Sequence, residues 1–275
     1  MKKIRISDQQ QVAFYQSGPQ HHTPLVLLHG FCEDAAVWEP MLPHLEQTPL
    51  IRMDLPGFGG SDLPASVLLE DYAHAIHSAL QLLGFQRCVL IGHSLGGYVA
   101  LAYLQHHGEH LAGMGLFHSH PFPDDEERIK NRRRGIETLQ QGKRDLYVAQ
   151  LFPNLFAPKY AEAHPEVIQK MTEMGRRQDA AGIIAALEAM IARPSYEQTL
   201  KTASCPVQFI LGEKDSLIPL ESGMKAAIMP PSSDLHVLPG VGHMGIWEDT
   251  EVCAGFVREF HDRVSTLDRD ADDAD

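Results

Sequence analysis

The chain has 275 residues, of which 44% are hydrophobic and 21% are charged. This composition is that of an ordinary globular protein with one large domain or two small ones, and it excludes a disordered or fibrous chain. The formal net charge of −13 at pH 7 argues against nucleic acid or an anionic membrane surface as a partner.

The first residues and the cysteines indicate where the protein works. The start, MKKIRISDQQQ, is basic but has no apolar segment, so it does not have the pattern of a signal peptide. Apolar runs such as LVLL and VLI are far too short to span a membrane. The four cysteines have no metal or redox spacing, which favours free thiols. We therefore expect a cytoplasmic protein with no membrane partner, present as a monomer or a homodimer.

Short apolar segments alternate with helical patterns along most of the chain. The predicted strands are an opening pair within Lys3–Gln16, followed by Leu25–Leu28, Leu50–Asp54, Cys88–Gly92, Gly113–Phe117, Val207–Gly212 and Leu235–Pro239. Most of them are apolar throughout, which is typical of strands covered by helices on both faces. The alternation predicts an α/β fold with a mostly parallel eight-stranded sheet flanked by helices.

The pattern changes after Phe117, because residues 119–197 carry helical periodicity without a convincing strand. We predict an inserted helical cap there, in a core formed by residues 1–118 and 198–265. One cap helix has acids first and bases later, with Asp124 and Arg128 expected to pair. Its arginines are expected to face solvent, or one reaches inward to an acidic substrate. The acidic end of the chain, residues 266–275, is expected to be disordered.

A candidate nucleophile follows the strand that begins at Cys88. The segment from Gly92 to Gly96 reads Gly-His-Ser-Leu-Gly and is followed directly by a helical pattern. The strand-to-helix context predicts a nucleophile elbow, a strained turn that presents the hydroxyl of Ser94. The start of the helix at Leu95 would offer a backbone N–H and a positive dipole to a developing oxyanion.

Serine needs a base and an orienting acid to act as a nucleophile. Asp215 follows the strand Val207–Gly212, and His243 follows the last predicted strand. The order Ser94, Asp215, His243, with each residue after the carboxyl end of a strand, predicts a catalytic triad.

On these residues, the chain resembles the α/β-hydrolase fold superfamily, in particular serine carboxylesterase-like members with a helical cap. The resemblance extends from Lys3 to about Val264. It depends on four motifs, which are Leu28-His29-Gly30-Phe31, Asp54-Leu55-Pro56-Gly57-Phe58-Gly59-Gly60-Ser61, the segment Gly92–Gly97 and Gly242-His243. It implies an oxyanion hole made by the backbone N–H groups of Phe31 and Leu95, with His29 bracing the loop.

The resemblance also separates this chain from some relatives. Haloalkane dehalogenases and epoxide hydrolases carry Asp at the elbow, where this chain has Ser94. Hydrolases of C–C bonds often have Trp directly after the catalytic His, whereas here Met244 follows and Trp247 comes three residues later.

The remaining candidate residues concern the substrate pocket. We expect the pocket to be lined by His93, His118, His120, Phe152 and Trp247. The histidines have no spacing typical of a metal site, so neither a metal nor a cofactor is expected.

The sequence as a whole predicts a serine hydrolase that cleaves small to medium carboxylic esters through an acyl-enzyme. The alternative is hydrolysis of a C–C bond or an enol-lactone by the same triad. A non-catalytic ligand-binding protein on the same fold is the third hypothesis.

Overall fold

The computed structural model describes residues 1–19 and 23–272, with the side chains of residues 269–272 left out. Eight strands in this part of the chain form one sheet with the order β1-β2-β4-β3-β5-β6-β7-β8. The strands are β1 (Lys2–Ser7), β2 (Gln10–Ser17), β3 (Leu25–Leu28), β4 (Leu50–Met53), β5 (Cys88–His93), β6 (Leu111–Phe117), β7 (Val207–Gly212) and β8 (Ser233–Leu238). The β1–β2 and β2–β4 pairs are antiparallel and the other pairs are parallel, which confirms the predicted fold.

The inner strands are apolar because helices cover the sheet. Every residue of β3 to β7 is buried. Gln208 in β7 is accommodated because its amide donates a hydrogen bond of 2.9 Å to the carbonyl oxygen of Phe256. The helices are α1 (Leu69–Leu82), α2 (Leu95–His107), α3 (Glu126–Gln140), α4 (Arg144–Leu151), α5 (Pro158–Ala163), α6 (Pro165–Arg176), α7 (Ala180–Ala192), α8 (Glu197–Lys201), α9 (Leu220–Ala227), α10 (Gly245–Glu248) and α11 (Thr250–Asp272), with 3-10 turns at Ala35–His44, Gly108–His110 and Phe152–Asn154.

Helices α3 to α8 lie between β6 and β7, where the sequence predicts the cap. Helix α7 approaches the core closely at Gly182, since a Cβ atom added there would lie 1.8 Å from the carbonyl oxygen of Gly57. The predicted pair between Asp124 and Arg128 is wrong. Helix α3 begins after Asp125, whose side chain accepts the backbone N–H of Arg128, so Asp124 precedes the helix and the i,i+4 spacing does not apply.

The end of the chain is a second correction. Helix α11 continues through Asp272, so residues 266–272 are helical rather than disordered, and residues 273–275 lie outside the described residues. The carboxylate of Asp268 is buried, 2.8 Å from the guanidinium of Arg87, and it accepts a hydrogen bond from Thr23. The acidic composition of this segment suggested disorder, but the inner face of the helix contacts the core through Asp268.

Two further observations concern the whole of the described chain. The four cysteines are free and buried. Among the described helices, none combines the length and the apolar character that crossing a membrane requires.

Candidate active site

Ser94 occupies the turn between β5 and α2. Its backbone has φ 51° and ψ −111°, a conformation that residues with a side chain rarely adopt. The turn is tight, because a Cβ atom added at Gly92 would lie 2.1 Å from the carbonyl oxygen of Gly96. One added at Gly96 would lie 2.5 Å from the carbonyl oxygen of Leu28. The two glycines of the motif therefore permit a strained turn of the kind that exposes a nucleophile.

His243 and Asp215 meet at the same edge of the sheet. The Nδ1 atom of His243 lies 2.8 Å from Oδ2 of Asp215. The other carboxylate oxygen, Oδ1, accepts the backbone N–H groups of Leu217 and Ile218 at 2.9 Å each. The backbone N–H of His243 donates to the carbonyl oxygen of Leu155 at 2.7 Å. Both side chains are therefore held in one orientation.

A second imidazole contacts the same carboxylate. His118, directly after β6, has its Nδ1 atom 3.1 Å from Oδ2 of Asp215, and its Nε2 atom accepts the backbone N–H of Gly245 at 3.3 Å. Because a backbone N–H can only donate, the proton of the neutral ring is on Nδ1 and is donated to Asp215. Burial lowers the pKa of His118 to about 4, although Asp215 opposes the shift, so the ring is neutral at pH 7.

The two histidines determine the charge of Asp215. Burial alone would raise the pKa of this carboxyl, but the charges and hydrogen bonds of His243 and His118 outweigh burial. They hold the pKa of Asp215 well below its usual range. Asp215 is therefore an ionised acceptor for both imidazoles at neutral pH.

His118, Asp215 and His243 also form a set whose nitrogen and oxygen atoms all lie within 4.8 Å of one another. A metal ion bound at Nδ1 of His118 would require the ring proton on Nε2. That proton would then face the N–H of Gly245, which lies 3.3 Å from Nε2 and is also a donor. The donor set therefore fits a hydrogen-bonded cluster better than a metal site.

The loop after β3 and the start of α2 each carry one candidate oxyanion donor. The backbone N–H of Phe31 has no acceptor among the described residues. The N–H of Leu95 is the first of helix α2, where backbone N–H groups have no partner within the helix. His29 holds this loop in place, because its Nε2 atom accepts the backbone N–H of Leu55 at 2.9 Å.

A buried ion pair supports this loop and was missed by sequence reasoning. The carboxylate of Glu33 accepts the backbone N–H of Gly30 at 2.6 Å and lies 3.2 Å from Nδ1 of His93. The Nε2 atom of His93 lies 3.0 Å from the carbonyl oxygen of His243. Burial opposes both charges, but the pair holds the pKa of Glu33 below and that of His93 above their usual values. The pair thus connects the oxyanion loop to the segment that carries His243.

Two cavities meet beside Ser94. The smaller one, of about 30 Å³, is lined by Phe31, Glu33, His93, Ser94, Leu151, Leu155, Leu217 and His243. The larger one, of about 390 Å³, is lined by Phe31, Ser94, Tyr98, Arg128, Asn131, Arg132, Tyr147, Leu151, Leu187, Met190, Ser216, Leu217 and Ile218. Ser94 and His243 therefore share the smaller cavity, and Ser94 also opens onto the larger one beneath the cap.

The structure corrects several pocket predictions. Of the predicted pocket residues, His93 lines the smaller cavity. His118 is fully buried against Asp215, and His120 is buried beside Arg128, with its Nε2 atom 3.3 Å from that guanidinium. Phe152 is fully buried and packs on Gly175.

Trp247 also lies elsewhere than predicted, because its ring faces helix α6, where Nζ of Lys170 is 4.8 Å from the ring centroid. The apolar walls of the larger cavity come from the cap helices α4 and α7 and from the core residues Phe31, Tyr98, Leu217 and Ile218. The periodicity of those helices could not identify the walls, because it does not show how the cap is oriented on the core.

Comparison with known proteins defines the class. A model of the alpha/beta hydrolase family matches residues 25–256. The chain therefore belongs to the alpha/beta hydrolase family.

Particular relatives then show the range of activities around it. The structure of a thermophilic esterase from Thermogutta terrifontis with malate bound superposes with a TM-score of 0.90 at 30% identity, over 96% of this chain and 99% of that one. A 2-succinyl-6-hydroxy-2,4-cyclohexadiene-1-carboxylate synthase from Klebsiella pneumoniae is 26% identical over 84% of this chain and 90% of its own length. A 2-hydroxy-6-oxononadienedioate/2-hydroxy-6-oxononatrienedioate hydrolase from Burkholderia vietnamiensis is 28% identical over 86% of each chain. These relatives are enzymes, and so is this protein.

Proposed function

We propose that this protein is a serine hydrolase that cleaves small to medium carboxylic esters. The observation that carries the proposal is that Ser94, on a strained turn, shares a cavity with His243, whose imidazole is hydrogen-bonded to Asp215. An exposed nucleophile beside a base that is oriented by an acid is the arrangement needed for acyl transfer. The esterase relative from Thermogutta terrifontis supports ester chemistry.

In the proposed mechanism, Ser94 attacks the ester carbonyl carbon while His243 takes the serine proton. The backbone N–H groups of Phe31 and Leu95 stabilise the oxyanion of the tetrahedral intermediate. When that intermediate collapses, the C–O bond to the alcohol breaks and His243 gives its proton to the leaving oxygen. Water, deprotonated by His243, then attacks the acyl-enzyme and releases the carboxylic acid and free Ser94. Asp215 stabilises the imidazolium in both halves.

A second candidate is cleavage of a C–C bond or an enol-lactone by the same residues. The Burkholderia vietnamiensis relative favours it, because its name describes a hydrolase of an oxo dicarboxylate, which has no ester bond to cleave. We propose that the enzyme works in the cytoplasm on a small molecule, which fits its free, buried cysteines and the size of the cavities beside Ser94.

Two measurements on the purified protein test the proposal. We expect hydrolysis of methyl esters across acyl lengths C2 to C12, followed in a pH-stat, with a maximum at short to medium chains because the larger cavity is about 390 Å³. We also expect a fluorophosphonate probe to label Ser94, located by mass spectrometry of the labelled peptide. Labelling without turnover of any ester would favour the C–C or enol-lactone candidate. A folded protein with neither labelling nor turnover would indicate a ligand-binding protein and contradict the proposal.

The hydrogen bond from His118 to Asp215 is expected to position the acid, and its removal can be tested. In His118→Leu the donor is lost, whereas in His118→Asn the amide nitrogen can take the position of Nδ1 and still donate to the carboxylate. Because a hydrogen bond to a buried charge contributes about 1.5–3 kcal/mol, we expect kcat of the Leu variant to fall about 10- to 100-fold with KM nearly unchanged. The Asn variant should retain more of kcat. Equal losses in both variants, or a change in KM alone, would show that His118 only fills space.

A further inference from the structure

Three guanidinium groups and the carboxylate of Asp124 lie close together, and two of the guanidiniums, those of Arg128 and Arg132, line the large cavity. Asp124 pairs with Arg132, and its Oδ1 atom lies 3.0 Å from the guanidinium of Arg193. Both guanidiniums therefore share the one carboxylate, and Arg193 in addition lies over the ring of Tyr98, 3.8 Å from its centroid. Arg128 is part of the same group through its contact with His120, but the ion pairs of Asp124 are with Arg132 and Arg193. The group therefore carries an excess of positive charge.

The contacts of Arg128 are to neutral groups. One guanidinium nitrogen donates 2.8 Å to the carbonyl oxygen of Leu217, and the other lies 3.3 Å from Nε2 of His120. Burial and the charges of Arg193 and Arg128 lower the pKa of His120 to about 3, so this ring is neutral at pH 7. A guanidinium has five N–H donors, so Arg128 keeps donors for a ligand. It is also half-buried, which strengthens its interaction with an anion.

The cavity that Arg128 lines has no acidic wall. Its lining residues all belong to the described part of the chain, and none of them is Asp or Glu. Apart from the two arginines, the polar members are neutral, for example Asn131 and Ser216. The chain as a whole is acidic, with a net charge of −13. A cavity that has no carboxylate in its lining and has an arginine without an ion-pair partner among the described residues therefore favours an anionic ligand.

The positions of the two cavities assign the parts of the substrate. In the proposed mechanism His243 protonates the leaving oxygen, and His243 lines the small cavity of about 30 Å³. That cavity leaves room for a small alcohol only. The acyl chain then extends from Ser94 into the cavity of about 390 Å³, where Arg128 lies.

We infer that the large cavity binds an acyl chain that ends in a carboxylate, so that the substrates are half-esters of dicarboxylic acids with small alcohols. This inference depends on the proposed function, because it places the ester carbonyl at Ser94. The terminal carboxylate pairs with the guanidinium fork of Arg128, an interaction that can be bidentate. The products are the alcohol and the dicarboxylic acid.

Matched pairs of methyl esters test the inference in a pH-stat. Monomethyl succinate, glutarate and adipate are compared with methyl butyrate, valerate and hexanoate, which have the same acyl lengths and no second carboxylate. We expect the wild-type enzyme to prefer one of the half-esters by about tenfold or more in kcat/KM. In Arg128→Gln this preference should disappear. Arg128→Lys should keep part of it, and Arg134→Gln, an exposed arginine of the same helix, should keep all of it.

Failure of this inference can be told from failure of the proposed function. Equal turnover of both ester series through Ser94, or a preference that survives in Arg128→Gln, would overturn the inference alone. Absence of all ester turnover and of fluorophosphonate labelling would overturn the proposed function.

A binding readout covers the case of labelling without turnover. Glutarate should slow the labelling of Ser94 in the wild-type enzyme more than valerate does, and this difference should vanish in Arg128→Gln. Equal protection by glutarate and by inorganic phosphate would show a general anion site and contradict the assignment to a carboxylate.

Discussion

The substitution Ser94→Ala is expected to reduce ester turnover about 10⁶-fold, the scale seen when a serine nucleophile is removed from a triad. The reason is that no acyl-enzyme can form without the hydroxyl, while the base and the oxyanion donors remain. The measurement is steady-state hydrolysis of the best ester, together with loss of fluorophosphonate labelling. Alanine meets the same backbone strain at φ 51° as serine, so thermal unfolding should change little.

Ser216→Ala is the matched control for this prediction. Ser216 also lines the large cavity, but its hydroxyl donates to the carbonyl oxygen of Asn154 and is not on the elbow. We expect this variant to keep most of its activity. If Ser94→Ala kept more than about a tenth of wild-type turnover, the nucleophile would have to be another group.

The substitution Asp215→Asn is expected to lower kcat about 10⁴-fold with little change in KM. The carboxylate oxygen Oδ1 accepts two backbone N–H groups, from Leu217 and Ile218, so the amide oxygen must take that place. The amide nitrogen then points at the position of Oδ2, where it donates to Nδ1 of His243. The imidazole proton is thereby placed on Nε2, and His243 can no longer accept the proton of Ser94.

Glu213→Gln provides the control, because Glu213 lies in the same loop and accepts the N–H of Gly240, which an amide oxygen can also do. Its kcat should remain close to that of the wild-type enzyme. Fluorophosphonate labelling of Ser94 should slow in parallel with kcat in Asp215→Asn. A loss smaller than about tenfold in kcat would argue that Asp215 does not orient the base.

Local patterns were sufficient to predict that distant residues meet. Asp215 and His243 are 28 positions apart in the chain, yet their placement after β7 and β8 predicted the contact that the structure has at 2.8 Å. Parallel strands bring such residues together, because their carboxyl ends lie at one edge of the sheet. The inner strands β3 to β7 were predicted from a second local pattern, since buried parallel strands are mostly apolar runs. The catalytic roles of these residues remain predictions.

Contacts that depend on the packing of side chains could not be predicted. Glu33 and His93 are 60 positions apart. The sequence signal for a buried pair was weak, since it consisted of one acidic residue near the loop that begins at His29. His118 was expected in the pocket because it follows β6, but its φ of 49° turns it toward Asp215. The pairing of Asp124 depended on where helix α3 begins, and helix ends are poorly defined by periodicity.

The pairing of Glu33 with His93 has an electrostatic consequence for the acyl-transfer step. An unpaired carboxylate beside the oxyanion loop would repel the negative charge that forms on the substrate oxygen. The cation of His93 cancels that repulsion at a distance of 3.2 Å, while the hydrogen bond to Gly30 still fixes the loop. Glu33 can therefore hold the loop in position through this hydrogen bond without disfavouring the charged intermediate. Substituting either residue alone would leave the other buried without its partner, so the two residues are expected to evolve as a unit.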